Sequence, residues 1–176
     1  IIVEFKKRVP QYMRIMRVQR DIPTEVTEAG VGMTNLRQYI EKIMKEKNLS
    51  CRCIRCREPR NKDIAIDAVA YKRFDYIASG SQEVFLSAED TKNDILLGFC
   101  RLRLVSNPFR KEIKPGSAGI RELHVYGEAV PIGVKGKVQH RGIGKKLVRM
   151  AESIAKQDFD AKQILVISGV GVRDYY

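Results

Sequence analysis

Gln139-His140-Arg141-Gly142-Ile143-Gly144 is the stretch on which the reading of this chain turns, because it follows strand-like sequence and opens an amphipathic helix. Glycines at 142 and 144 let the main chain approach a ligand closely. The first amides of the helix behind them have no intrahelical acceptor, and the positive end of the helix dipole adds to their pull on an anion. Lys145 and Lys146 bring further positive charge to the same place. Ile143, Leu147, Met150, Ala151 and Ile154 recur at helical spacing, so the segment to about Lys156 buries one face. This is the construction of a pyrophosphate cradle. It differs from a Walker loop, which needs four residues between its glycines and then Lys-Ser or Lys-Thr, and from a dinucleotide loop, which needs G-x-G-x-x-G.

Glycines mark ordinary turns more often than ligand sites, so the weight comes from the surroundings. Ile120 to Tyr126 reads as a strand ahead of the loop, and Gln163 to Ser168 as a short β-branched strand behind the helix. Further back, Ile64 to Tyr71, Glu83 to Ala88 and Ile95 to Val105 read as successive strands, with Asn93-Asp94 and Pro115-Gly116 as turns. A meander of strands therefore leads into the loop. No internal repeat and no low-complexity tract interrupts it.

The chain has 176 residues, no tryptophan, and 33 Lys and Arg against 21 Asp and Glu, a formal net charge of +12. That length holds one ordinary domain, or a domain with a small flanking module. The positive excess is spread along the chain and asks for an anionic partner, nucleic acid first, with a solvated basic surface as the plain alternative. No apolar run approaches the roughly 18 residues of a membrane span, and no charged-then-apolar leader heads the chain. A soluble, cytoplasmic protein with no membrane partner is expected. The start at Ile1 and the stop after Asp174-Tyr175-Tyr176 read as the limits of a piece of a longer protein.

In the first third, Ile1 to Phe5 reads as a strand, and Lys6, Lys7, Arg8, Arg14, Arg17 and Arg20 form a basic face beside Val9, Tyr12, Ile15, Met16 and Val18. Ala29-Gly30-Val31-Gly32 is a flexible connection. Thr34 or Asn35 then caps a helix to about Lys47, with Leu36, Tyr39, Ile40, Ile43 and Met44 as its apolar stripe. Cys51-Arg52-Cys53-Ile54-Arg55-Cys56 follows. Its C-x-C-x-x-C spacing suits zinc, three thiolates in one loop with a fourth ligand from elsewhere; reduced, unligated cysteines are the plain alternative. A disulfide does not suit a cytosolic chain. Arg52, Arg55 and Arg57 would offset thiolate charge. Cys100, in a strand-like run, reads as a small buried hydrophobe outside this group.

The order strand, loop, helix, strand resembles the acetyl-CoA-binding core of the GNAT superfamily, and the loop resembles that superfamily's Q/R-x-x-G-x-G/A motif. Within it, three stretches resemble one family, the catalytic subunit of Elongator, a radical-SAM tRNA-modifying acetyltransferase. They are Arg121-Glu122-Leu123-His124-Val125-Tyr126-Gly127, the Gln139 to Gly144 loop, and Ile167 to Tyr176. Arg17 to Pro23 looks like the end of that family's radical-SAM domain, and Cys51 to Glu58 like its zinc-binding linker. The resemblance implies an α/β (α+β) fold with a GNAT-type mixed, mainly antiparallel sheet and flanking helices. It divides the chain into the end of a radical-SAM domain at 1–28, a basic helical linker with zinc-binding cysteines at 29–80, and an acetyltransferase domain at 81–176.

The same resemblance implies acetyl-CoA-dependent modification of the wobble uridine of tRNA. Carried over residue by residue, Glu122, Leu123, His124 and Val125 run beside the pantetheine arm, and Gln139, Arg141, Gly142, Ile143, Gly144 and Lys145 hold the pyrophosphate. Tyr176 lies against the cofactor; Tyr175, Tyr176, Glu122 and His124 are the candidate catalytic residues. Cys51, Cys53 and Cys56 bind zinc. Lys6, Lys7, Arg8, Arg14, Arg17, Arg20, Arg52, Arg55 and Arg57 meet tRNA phosphates. The Tyr pair is expected to open a further helix. S-adenosylmethionine and an iron–sulfur cluster belong to the complete family protein and not to this chain, which lacks the cluster-binding cysteines. Other Elongator subunits or a second copy of the chain are further partners. The residues alone leave two other readings open: an N-acetyltransferase of protein lysines or small amines, and a zinc-stabilised RNA-binding module without turnover.

Overall fold

The computed structural model describes residues 1–19, 23–60, 62–65, 68–127 and 142–176. The chain divides into two compact units, Ile1–Arg57 and Glu58–Tyr176. The second begins well ahead of residue 81, where the acetyltransferase domain was expected to start, because residues 69–78 form a full partner strand of the sheet.

In the first unit, Ile2–Arg8 is a helix, α1, in place of the expected strand at Ile1 to Phe5. The β-branched start suggests a strand, but a strand needs a neighbour for its main-chain groups, whereas a helix satisfies its own. Glu4 in the first turn and Lys6, Lys7 and Arg8 in the last suit the helix dipole, and Lys7 pairs with Glu4 at 3.2 Å. Val9, which precedes Pro10, is extended and ends the helix. A second helix, α2, spans Leu36–Glu46. Leu36, Ile40 and Met44 are its buried stripe, with Ile2, Val3, Val18, Leu49 and Cys51 packed around them. Tyr39, expected in that stripe, is instead exposed. The helix closes in a Schellman arrangement: Asn48 takes a φ of +52°, its N–H donates to Lys45 O and the Leu49 N–H to Met44 O. A single-turn helix, α3, spans Ile54–Arg57.

In the second unit, five strands lie in sequence order: β1 (Val69–Ala78), β2 (Ser81–Asp90), β3 (Ile95–Val105), β4 (Ser117–Val125) and β5 (Ile164–Val166). The first three pairings are antiparallel and β4 with β5 is parallel. The crossover to β5 carries helix α4 (Ile143–Gln157). β1 starts five residues later than the expected Ile64, and its Lys72, Arg73 and Asp75 suit an edge strand. The Asp90 carboxylate accepts N–H bonds from Ala65, Lys92 and Asn93, which ties the residues before β1 to the β2–β3 turn.

One face of the sheet is the core. Val84, Leu86 and Ala88 of β2, Cys100 and Leu102 of β3, and Ala118 and Ile120 of β4 pack against Ile143, Leu147, Ala151 and Ala155 of α4. Each large apolar side chain buried this way contributes about 1.5–3 kcal/mol. Cys100 lies in this cluster, fully buried, as its sequence context implied. β4 carries one irregularity: Arg101 pairs with Glu122 but Leu102 pairs with Ile120, so Arg121 is an extra residue, a bulge. The bulge switches the strand's parity. Ala118 and Ile120 face the core before it, Leu123 and Val125 after it, and Glu122 and His124 point to the opposite face.

Candidate active site and candidate metal centre

The N-terminus of α4 is built as its sequence suggests. Gly142 sits in the left-handed region at φ +79°, a conformation that favours glycine, and among the described residues no side chain caps the helix. No acidic residue lies in the first turn, and Lys145 is exposed beside it. The first amides of a helix are the groups that meet an anion at such a place. Lys146 turns away: its ammonium lies 3.9 Å from the centre of the Tyr71 ring. Gln139, His140 and Arg141 fall outside the described residues.

The end of β4 and the chain's last residues reach the same spot. A Cβ placed on Gly144 would meet Val125 Cγ2 at 3.4 Å and collide with the Tyr175 hydroxyl, so both side chains lie against the bare glycine. β4 and β5 pair only from Ala118↔Ile164 to Ile120↔Val166. Beyond that point β5 ends, and residues 122–125 pair with β3 alone. The β4 main chain past Ile120 therefore has no β5 partner, and the start of α4 meets its end at Val125; this parting of the strands is the candidate cleft. Gly98 of β3 lies alongside: a Cβ on it would stand 2.9 Å from the His124 carbonyl oxygen.

Val170–Tyr175 forms 3-10 turns, whereas a new helix was expected to open at the Tyr pair. The Tyr175 and Tyr176 rings meet edge to face at 5.1 Å. Burial pushes the Tyr175 phenol up from its ordinary value, with Tyr176 and Cys100 adding to the effect; burial and then Cys100 do the same to Tyr176. Both phenols stay protonated at neutral pH, the state a hydrogen-bond or proton donor needs.

Glu122 and His124 are on the strand as expected, with side chains on the face away from α4. Glu122 pairs with Arg101 at 2.9 Å. His124 is exposed and packs near Phe99, centroids 6.0 Å apart, and Tyr126 at 4.4 Å. Leu123 and Val125 face the core, so only their main chains are offered to the cleft. Sequence reasoning missed a buried carboxylate on the same outer face. Glu83 accepts from Tyr76 at 2.6 Å, from Arg103 at 2.9 Å, and from Arg121. A Glu alternating with apolar residues in a strand reads as a solvated position, and nothing local marks it as enclosed. Burial alone would raise its carboxyl; the bonds from Tyr76, Arg121 and Arg103 outweigh that and hold it below the usual range.

In the first unit, the sulfurs of Cys51, Cys53 and Cys56 all lie within 4.8 Å of one another. Thiolates on one tetrahedral zinc stand about 3.8 Å apart, so the set fits that ion with small side-chain adjustment. Among the described residues no His or carboxylate joins them. Hydrogen bonds from Cys51 and Cys56 pull the Cys53 thiol down, while the Cys51 thiol is pushed up by its bonds to Cys53 and Cys56. Lys6 is buried, with its ammonium 3.5 Å from Cys56 Sγ. Its burial takes it off the expected tRNA surface and sets its charge beside the cysteine group. Arg57 is also buried, at 1 % exposure, and leaves that surface too. Lys7, Arg8, Arg14, Arg17 and Arg52 are exposed and Arg55 half-buried; Arg20 lies outside the described residues.

A five-stranded mixed sheet whose fourth and fifth strands part beside an uncapped, glycine-lined helix start defines an acyl-CoA-dependent transferase fold. Residues 50–173 match the acetyltransferase (GNAT) family, and the chain belongs to that family. Over 100% of its length it is 46% identical to the tRNA uridine(34) acetyltransferase of Methanocaldococcus jannaschii, of which it covers 34%. It is 45% identical to Elongator complex protein 3 of Saccharomyces cerevisiae, with 96% of this chain and 32% of that protein covered. The solved structure of Methanocaldococcus infernus Elp3 lacking residues 1–46 superposes with a TM-score of 0.87 at 44% identity, covering 99% of this chain and 43% of that one. The chain thus spans about a third of the length of these curated relatives. The Elongator-type resemblance read from the motifs is the one its relatives carry. Among the described residues no helix is long and apolar enough to cross a membrane.

Proposed function

We propose that this chain is the acetyl-donor part of an enzyme that modifies the wobble uridine of tRNA. The observation that carries the reading is the meeting of Gly144, Val125 and Tyr175 at the far end of the β4 segment that has no β5 partner. Acetyl-CoA lies with its pyrophosphate on the amides of Gly142, Ile143, Gly144 and Lys145, and Gln139 and Arg141 complete the cradle. Its pantetheine arm runs along the main chain of residues 122–125 as an added strand would. Tyr175 or Tyr176, held protonated, donates to the thioester sulfur as the C–S bond breaks and its electron pair goes to sulfur. Glu122 and His124 look out on the far face of β4, the side from which an acceptor or a water reaches the carbonyl.

The acceptor is inferred from the relatives, which carry the name of tRNA uridine(34). The exposed Lys7, Arg8, Arg14, Arg17 and Arg52, with Arg55 and Arg20, meet tRNA phosphates, and the contact weakens steeply with salt. Zinc on Cys51, Cys53 and Cys56 braces that basic segment and takes no part in the reaction. The radical step, with S-adenosylmethionine and an iron–sulfur cluster, belongs to the longer protein, which works in the cytoplasm alone, as a second copy pairs with it, or with other Elongator subunits. An N-acetyltransferase of lysines or amines is the second reading. It needs a base for an ammonium, and Glu122, the carboxylate at the cleft, is already paired with Arg101. The RNA-binding module without turnover leaves the open α4 terminus without a purpose.

The test is release of CoA thiol from acetyl-CoA by the complete protein, with no acceptor, with bulk tRNA, or with a lysine-rich peptide. Stimulation by tRNA alone is expected, and Gly144→Glu, which sets a carboxylate among the amides and displaces Tyr175, abolishes acetyl-CoA binding. Acetylation of the peptide with no response to tRNA overturns the acceptor assignment; undiminished acetyl-CoA binding by Gly144→Glu overturns the site.

A further inference from the structure

Two buried carboxylates lie on the outer face of β2, and they are wired differently. Glu89 pairs with Lys72 of β1 at 2.8 Å and accepts from Ser87 of its own strand at 2.8 Å. Glu83 reaches across the sheet. Tyr76 lies opposite it on β1 and Arg103 opposite it on β3, and both donate to it. Its remaining bond is to Arg121 of β4, whose side chain is 50% exposed while that of Glu83 is 2%. Arg101 extends the group, donating to the Tyr76 hydroxyl at 3.1 Å and to Glu122 at 2.9 Å. Three strands are thereby held to one carboxylate.

Arg121 is the bulged residue, and the bulge sits at the point where pairing with β5 stops: Ile120 is the last β4 residue with a β5 partner. The bulge also decides which residues line the cleft, since Leu123 and Val125 turn inward only because one extra residue precedes them. We infer that Glu83 is a positioning residue for the acyl-donor cleft, fixing through Arg121 the place where β4 leaves β5. The inference rests on the reading of that cleft as the acetyl-CoA site. Glu83 touches no substrate. Its effect travels through the bulge, whose position decides which of residues 121–125 face the core.

Glu83→Gln keeps the side chain's shape and removes the charge that both guanidiniums share. Glu89→Gln is the matched control, a buried carboxylate on the same face of the same strand that is bonded to Lys72 of β1 and Ser87 of β2. Acetyl-CoA affinity by calorimetry, thermal midpoint, and hydrogen exchange of amides 118–125 in the ligand-free complete protein are measured for each. Expected is a rise of about 10-fold in Kd for Glu83→Gln, a size that coupling through a positional network produces, with faster exchange at 118–125. Arg121→Ala gives the same rise, and the double variant is no worse than either single one. Glu89→Gln lowers the midpoint comparably with Kd unchanged. Equal Kd values for Glu83→Gln and wild type, or equal rises for Glu83→Gln and Glu89→Gln, overturn the inference. If Glu83→Gln does not fold, Arg121→Lys, which keeps the charge and loses the fork, is read in its place against the same outcomes. Failure of the wild type itself to bind acetyl-CoA sinks the proposed site instead, and the ligand-free exchange comparison still decides whether Glu83 holds the bulge.

Discussion

Gly98→Ala tests the close approach of β3 and β4 at the cleft. A methyl group added there meets the His124 carbonyl oxygen at 2.9 Å, with Val125 Cα and Cγ2 both at 3.3 Å. Two of these three atoms are main chain, so relief comes only by pushing β4 away from β3. The penalty of such overpacking is about 1–3 kcal/mol. At about 4 °C per kcal/mol for a domain of this size, the thermal midpoint falls by about 4–12 °C. The segment displaced is the floor of the cleft, so acetyl-CoA affinity drops as well. Gly119→Ala is the comparison: its methyl group would find Val105 Cγ2 at 3.9 Å and the Leu165 carbonyl oxygen at 4.0 Å, ordinary contacts. That variant should be neutral or more stable by about 0.4–1 kcal/mol, because alanine restricts the unfolded chain. Differential scanning calorimetry and acetyl-CoA titration of both variants supply the readings. If Gly98→Ala melts with the wild type and binds acetyl-CoA as well, the strands are not as close as described and the reasoning fails.

Three more outcomes follow from buried groups. Cys53→Ser should cut the zinc content of purified protein, by atomic absorption, to well below one ion per chain, and Lys6→Met should lower zinc affinity without removing a ligand. Asp90 is fully buried, which alone would raise its carboxyl, but the N–H bonds of Ala65, Asn93 and Lys92 and the Asn93 amide hold it below its ordinary value. A depressed folded-state carboxyl stabilises above the unfolded value near 3.9 and loses that contribution as pH falls through the folded one. Asp90→Ala, which orphans those donors, should therefore cost about 1–3 kcal/mol at pH 7, and the gap to wild type in thermal scans should narrow toward pH 2.

The glycine at the start of α4, α4 itself and the third and fourth strands were legible because their signals are local. Apolar residues at helical spacing, a glycine where φ is positive, and β-branched runs ending in Asn-Asp or Pro-Gly all act within a few residues. β1 was misplaced because Lys72-Arg73 and Asp75 interrupt its apolar pattern, and what makes it a strand is its ten-residue pairing with β2. Ile1 to Phe5 failed for the converse reason, a β-branched run with no strand to pair with. The cysteine spacing was legible as chemistry, but the burial of Lys6 beside Cys56 spans fifty residues of sequence and left no local mark. The bulge at Arg121 was also silent. Strict alternation over Glu122 to Val125 identifies two faces, yet the facing of each depends on an extra residue that only the register with β3 reveals.

That extra residue makes β4 unusually sensitive to insertion and deletion. Removing one residue at 121 would leave the strand long enough to span the sheet, but it would exchange the faces of everything after it. Glu122 and His124 would turn toward Cys100 and Leu147, and Leu123 and Val125 toward solvent. The 106–116 loop, whose Phe109 and neighbouring lysines are exposed, can absorb a length change with little consequence. Related chains should therefore vary freely in length at that loop while keeping the count between Ser117 and Val125 fixed, so the spacing within β4 identifies a working cleft better than the identity of any one residue on it.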